Sequence, residues 1–218
     1  NCNKIIVVPL FPQYSSAANG SVVEKVMDII KSDPVFPELR FTGSFHQQPL
    51  FIKAFSENGS KYNPQEYDHI IFSFHGLPER QITKSLPHFN CLSETCCDNL
   101  TLQNHLCYRA QCFETARAIS TSLNIAKEKY TVCFQSRLGK TPWIKPYSDE
   151  VIKQLAAKGI KKILAFSPAF VADCLETIYE IGVEYDTIFK EHGGEKIQLV
   201  ESLNDNDLFV DCLVEMIK

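Results

Sequence analysis

What the chain lacks narrows its function first. No apolar run reaches the roughly 18 residues that a membrane span needs, and no stretch reads as a secretory leader. Basic excess is missing too. Lys and Arg number 22 against 26 Asp and Glu, the net charge is −4, and no basic stripe with interleaved aromatics marks a nucleic-acid footprint. Internal repeats, linkers and low-complexity tracts are absent, so 218 residues that are 44% hydrophobic read as one or two ordinary globular domains. Cysteine, by contrast, is plentiful at nine residues. Without a leader these thiols belong in a reducing, cytoplasmic setting, where clustered cysteines are more often metal ligands than disulfides. The chain opens at Asn1 and enters a strand at once, so a missing N-terminal part is expected.

Short apolar runs alternate with helical patterns. Segments 5–10, 40–46, 69–74, 130–135, 162–166 and 198–201 read as strands, and 20–32, 48–57, 110–123, 147–158, 173–191 and 206–217 as helices. Gly159 and Gly193-Gly194 stand where helices stop. This alternation predicts an α/β fold with parallel sheets and helices on both faces. Three strands run into polar or proline-bearing turns, at 73–78, 135–142 and 167–173, and the carboxyl ends of such strands line a common crevice. His75, Ser136 and the start of the 173–191 helix are therefore expected along one edge, with Tyr14 near the same rim.

Three features carry chemistry. His75 follows a buried strand and precedes Gly76 and Pro78, which hold its turn in a non-helical path. Near its ordinary pKa of about 6.5 an imidazole takes up protons or binds a borderline metal, although a lone histidine is more often merely a satisfied residue. Asp173, Glu176, Glu180 and Glu184, spaced by three, four and four, form one stripe at about 100° per residue, with Leu175, Ile178, Gly182, Tyr185 and Phe189 on the opposite side. A solvated face is the plain alternative. Like charges four apart repel by roughly 0.2–0.5 kcal/mol per pair, and crowding would raise some of their pKa values, which suits a visiting cation or proton. Third, Cys91, Cys96, Cys97, Cys107 and Cys112 crowd one loop-like segment. Zinc ribbons favour two-residue gaps, whereas the spacing in iron–sulfur sites is freer. Cys2, Cys133 and Cys212 read as ordinary core or surface thiols.

The chain resembles the ferrochelatase family, which inserts ferrous iron into porphyrins. The matching stretches are Pro9-Leu10-Phe11-Pro12-Gln13-Tyr14-Ser15, Phe72-Ser73-Phe74-His75-Gly76-Leu77-Pro78, Phe134-Gln135-Ser136-Arg137-Leu138-Gly139 with Pro142-Trp143, and Pro168 to Thr177. Glu184-Tyr185 and the stretch from Glu201 to Asn204 also fit. The resemblance runs in one order over almost the whole chain apart from the cysteine segment. It implies a bilobal chelatase-like fold with a porphyrin cleft, residues 1–60 being the remainder of an incomplete N-terminal lobe and 61–218 a C-terminal lobe with an insertion at about 86–112. His75 matches the family histidine assigned to metal binding or pyrrole deprotonation, and Glu176 the acid facing it across the ring. Glu180 and Glu184 match a metal or proton path, so that His75, Glu176, Glu180 and Glu184 are all candidate contacts for the metal. Tyr14, Ser136, Trp143 and Phe170 match the cleft wall.

The reaction asks for such residues. A free-base porphyrin loses two pyrrole protons while hydrated Fe²⁺ sheds its waters, and a base on one face with anions on the other can divide those tasks. Two departures stand out: some family members carry histidine where this chain has Cys174, and the porphyrin-contacting elements of the N-terminal lobe are missing. Some ferrochelatases hold a 2Fe–2S cluster. The animal form uses a cysteine just after the Tyr-Ser motif, where this chain has Ser16, while a bacterial subset uses an internal cysteine-rich insertion like this one. The resemblance thus implies a 2Fe–2S cofactor on Cys91, Cys96, Cys107 and Cys112, with Cys97 as substitute for Cys96, and zinc, or free or disulfide-bonded cysteines, as alternatives. Porphyrin and ferrous iron are the expected partners, whether protoporphyrin or coproporphyrin; nucleic acid is not, and peripheral membrane contact stays open. The competing readings are a non-catalytic iron–sulfur or heme-binding module and a sirohydrochlorin cobaltochelatase.

Overall fold

A computed structural model describes residues 2–87, 91–93 and 95–218. Parts of the expected insertion, at 88–90 and 94, lie outside the described residues. The chain forms two parallel sheets. Strands β1 (Lys4–Val7) and β2 (Glu38–Phe41) pair with each other, Lys4 opposite Glu38 and Val7 opposite Phe41. Strands β3 (His69–His75), β4 (Tyr130–Gln135), β5 (Lys162–Phe166) and β6 (Lys196–Leu199) form the larger sheet in the order β4-β3-β5-β6. The helices are α1 (Ser21–Ile30), α2 (Pro49–Ser60), α3 (Glu79–Ser85), α4 (Tyr108–Ser122), α5 (Ser148–Ala157), α6 (Asp186–Glu191) and α7 (Asp207–Ile217). Two π-helical segments, Ser16–Gly20 and Leu175–Tyr185, run directly into α1 and α6.

Strand β3 shows why the sheet sits where it does. Its residues are buried on both faces up to Phe74, as a central parallel strand requires. Ile70, Phe72 and Phe74 join Phe51 and Phe55 of α2 and Ala116 and Ile119 of α4 on one side. Ile71 faces Ile152 and Leu155 of α5 and Phe189 of α6 on the other. Burying each such side chain contributes about 1.5–3 kcal/mol. Helix α2 starts sharply because the Gln48 side chain accepts from Leu50 N and Phe51 N while Pro49 occupies the first turn.

Several boundaries differ from expectation, for physical reasons. The strand expected at 40–46 is four residues, Glu38–Phe41, because its ladder ends where β1 ends, ahead of Pro9; Phe45 and His46 then turn inward. The helix expected at 110–123 begins at Tyr108, so its first turn absorbs the end of the cysteine segment. Helix α3 carries no amphipathic pattern long enough to reveal it. Gly159 and Gly193 hold φ of +86° and +97°, as left-handed helix stops do. Among the described residues no helix is long and apolar enough to cross a membrane.

Candidate active site

His75 ends β3 opposite Gln135, the last residue of β4. Its Nδ1 lies 2.6 Å from the Gly76 carbonyl oxygen. That oxygen can only accept, so Nδ1 carries the proton and Nε2 holds the ring's lone pair. The turn beyond is pinned on several sides: Gly76 N donates to Gln135 O, Ile144 N to Leu77 O, and the Tyr108 hydroxyl to the His75 carbonyl at 2.7 Å. Gly76 is required by close approach, since a Cβ there would sit 2.8 Å from Gln135 O and 3.1 Å from the Trp143 ring. Trp143 and Phe170 flank the imidazole with ring centres 6.4 and 6.1 Å away.

His75 and Phe170 line a largely apolar cavity of about 340 Å³ whose far wall is built by Phe11, Pro12, Ala18 and Val22. The π-helical segment Ser16–Gly20 forms part of that wall and is fixed by Asn19, which accepts from Ser15 N and donates to Phe11 O. Tyr14 stands next door, against a smaller cavity with Leu77 and Tyr108, and its backbone N–H donates to Gln111. Ser136, Trp143, Glu176, Glu180 and Glu184 do not line the larger cavity. Trp143 reaches the site through its contact with His75, and Gln135 connects Glu180 and the Glu176 main chain to the same edge, with Ser136 bound to Glu180.

Gln135 was not singled out by the sequence reading, although polar Ser73 and Gln135 inside apolar strands were a signal for it. Its buried amide accepts from Ser73 Oγ and donates to the Glu176 carbonyl at 2.8 Å and to Glu180 Oε2 at 3.0 Å. Glu180 gathers three further donors: Ser136 N, Ser136 Oγ and the Tyr185 hydroxyl, at 2.8, 2.6 and 2.8 Å. Ser136 reaches it with both groups by adopting φ of +61°, a left-handed conformation that costs a non-glycine residue about 1–2 kcal/mol. Burial, followed by the Glu180 charge, pushes the Tyr185 phenol far up, so it stays a donor.

The acidic stripe is real but is not an α-helical one. Over Leu175–Tyr185 the i→i+5 bonding puts more than four residues in each turn, so a four-residue step falls slightly short of a full turn and the stripe drifts in the sense opposite to that of an α-helix. Glu176, Glu180 and Glu184 share one line; Thr177, Ile181 and Tyr185, each one residue later, form the buried line, which Phe189 of α6 continues. Leu175 and Ile178, expected on the buried side, are 72% and 58% exposed. The stripe also loses its first member. Asp173 precedes the helix and accepts from Ser202 N, Asn204 Nδ2 and Thr177 Oγ1. Burial would raise its pKa, but these hydrogen bonds outweigh burial and hold it below the usual carboxylate range. Crowding therefore does not raise this carboxyl. Cys174 lies beside Glu176; burial first, then that contact, pushes its thiol up.

On the other flank, Cys96 and Cys97 sulfurs lie 3.6 Å apart, and Arg109 Nη1 donates to them at 3.7 and 3.1 Å. Cys97 and Cys107 lie near enough for each to shift the other's thiol, and Cys91 sits close enough to Cys96 and Cys107 to feel their charge. Cys112 is turned away, fully buried against Tyr108. Buried Asn104 staples the loop by donating to Cys96 O and Asn99 O. Among the described residues no three His, Cys, Asp or Glu side chains converge as a metal centre requires. The thiols are neighbours without being a formed cage.

The chain matches the Ferrochelatase family model over residues 1–218. It is 40% identical over 217 residues to a ferrochelatase of Legionella pneumophila (strain Lens), covering 100% of this chain and 65% of that protein. Similarity to a ferrochelatase of Coxiella burnetii is 39% over 222 residues, covering 100% and 61%. The chain thus spans about 65% of the length of the first of these relatives. Among solved structures it is similar to SirB from Bacillus subtilis with Fe3+, with a TM-score of 0.58 at 12% identity, covering 100% of this chain and 71% of that one; this likeness concerns the fold.

Proposed function

Because the chain belongs to the ferrochelatase family, we propose that its protein inserts ferrous iron into a porphyrin, and that residues 61–218 carry the acid–base side of that reaction while 1–60 complete part of the cleft. The observation that carries this reading is His75. Its Nδ1–H is tied to the Gly76 carbonyl, so Nε2 presents a lone pair at an apolar, aromatic-flanked cavity, as abstraction of a pyrrole proton or contact with the metal requires. Phe170 and Trp143 supply ring-sized apolar surface, with Tyr14 and Ser136 at the rim. In this reading Glu176 and the exposed Glu184 are the carboxylates that trade a proton or a hydrated cation. Glu180, saturated by Ser136, Gln135 and Tyr185, acts as a fixed negative charge between them.

The cysteine loop is our candidate place for a 2Fe–2S cluster. Its support is composition and the resemblance, and no step of the insertion is routed through it. Cys91, Cys96, Cys97 and Cys107 are the better set, since Cys112 would have to leave Tyr108. Iron and sulfide content of the anaerobically purified full-length protein reads this directly, and their absence removes the cluster.

The test of the activity is anaerobic insertion of ferrous or zinc ion into protoporphyrin and coproporphyrin by the full-length protein, followed by absorbance. His75→Ala should lose on the order of 100-fold or more in rate, the usual contribution of a positioned base. A near-normal rate removes His75 from the chemistry.

A further inference from the structure

Helix α4 begins at the end of the cysteine segment, and its first residue touches the base. Cys107 caps the helix, its N–H donating to Asn104 O, and Tyr108 follows immediately. The Tyr108 ring is buried between the two cavities, and its hydroxyl donates at 2.7 Å to the His75 main-chain carbonyl. One turn later Gln111 accepts from Tyr14 N and donates to His105 O. A single helical turn thus joins the cysteine loop to both sides of the cleft. The Tyr108 bond fixes the His75–Gly76 peptide, and the next carbonyl along, that of Gly76, receives the imidazole Nδ1–H.

We propose that Tyr108 is a positioning residue for His75: its hydroxyl, placed by the cysteine loop through Cys107, holds the backbone that keeps His75 in the Nδ1–H tautomer with Nε2 toward the cavity. The proposal rests on the reading of His75 as the base. Freed of the bond, the His75 carbonyl reorients, the Nδ1–H to Gly76 contact loosens, and the lone pair is shared between the two ring nitrogens.

The experiment compares wild type, Tyr108→Phe and His75→Ala in the full-length protein. Phenylalanine keeps the buried ring and removes only the hydroxyl. Tyr108→Phe should lower kcat about tenfold, a modest share of what misplacing a catalytic group can cost. KM for porphyrin should stay within about twofold, because the ring still lines the cleft. Nitrogen-15 NMR of His75 should show the Nδ1–H tautomer in wild type and a mixture in Tyr108→Phe, a change that mere loosening of the fold would not single out. Unchanged kcat together with an unchanged tautomer overturns the proposal. If His75→Ala keeps its insertion rate while Tyr108→Phe still alters the tautomer, the positioning stands and it is the assignment of His75 as base that fails.

Discussion

The two flanks of the β3–β4 edge treat ionisable groups in opposite ways. On the late-helix flank, charge is kept and met by hydrogen bonds: Glu180 collects donors from Gln135, Ser136 and Tyr185, and Asp173 collects them from Ser202, Asn204 and Thr177. On the α4 flank, burial suppresses charge. The Cys112 thiol is pushed up, and the buried His46 imidazole is pushed down to about 4 with neither ring nitrogen bonded. A site that handles a cation and protons gains from this division. On the proposed reading, fixed anions stand on one side, and mostly uncharged packing on the other holds His75 in place.

The division is broken most directly at Glu180. Removing its carboxylate in Glu180→Ala orphans four donors and leaves Ser136 in a left-handed conformation with nothing to justify it. Partial solvent access softens the loss, so about 3 kcal/mol is expected in urea unfolding, together with a slower insertion rate. Glu184→Ala, on the exposed end of the same line, should change stability by less than about 0.5 kcal/mol. Equal losses in the two variants would mean that the stripe acts as a plain surface feature.

His46 tests the other flank. Unfolded, it titrates at its ordinary 6.5; folded, burial lowers it to about 4 against a smaller opposing pull from Glu114. Between these values the unfolded chain holds the extra proton, so stability falls as pH falls through the window from 6.5 to about 4. Above 6.5 the imidazole is neutral in both states and stability is unaffected by it. The full penalty below the window is at most about 3 kcal/mol. His46→Gln should flatten this part of the pH–stability curve measured by urea midpoints, and an unaltered slope would show that His46 finds a partner in solution.

How much of this was legible in the sequence varies with the physics involved. Strands β4 and β5 appear at their expected bounds because doubly buried strands write themselves as continuous apolar runs. The convergence of His75, Ser136 and the late helix follows from parallel topology and was readable too. The faces of that helix were not. A period of 3.6 was imposed on a segment whose i→i+5 bonding turns more slowly, which sent Leu175 and Ile178 to the wrong side while leaving the glutamates aligned. Asp173 was misplaced because its capping partners, Ser202 and Asn204, lie some thirty residues away in sequence. Tyr108 was invisible for the same reason. The residue it serves is His75, and nothing local in the cysteine segment points there.

The smallest expected effect sharpens the contrast at the one group that departs from its flank. Cys107 is drawn below the ordinary thiol range, first by the neighbouring Cys97 thiol, then, against the cost of burial, by the backbone N–H groups of Ala110 and Arg109 at the start of α4. A helix N-terminus stabilises a thiolate in this way. The Cys97 thiol, burdened by the same pairing and by burial, rises correspondingly, so the two sulfurs together hold a single negative charge facing Arg109. In metal-free full-length protein, ultraviolet thiolate absorbance should show one group titrating below the ordinary thiol range. It should vanish in Cys107→Ser and move toward the ordinary thiol range in Cys97→Ala. If Cys97→Ala leaves that titration in place, the α4 N-terminus holds the charge unaided, and the Cys97–Cys107 pair is a contact rather than the cause.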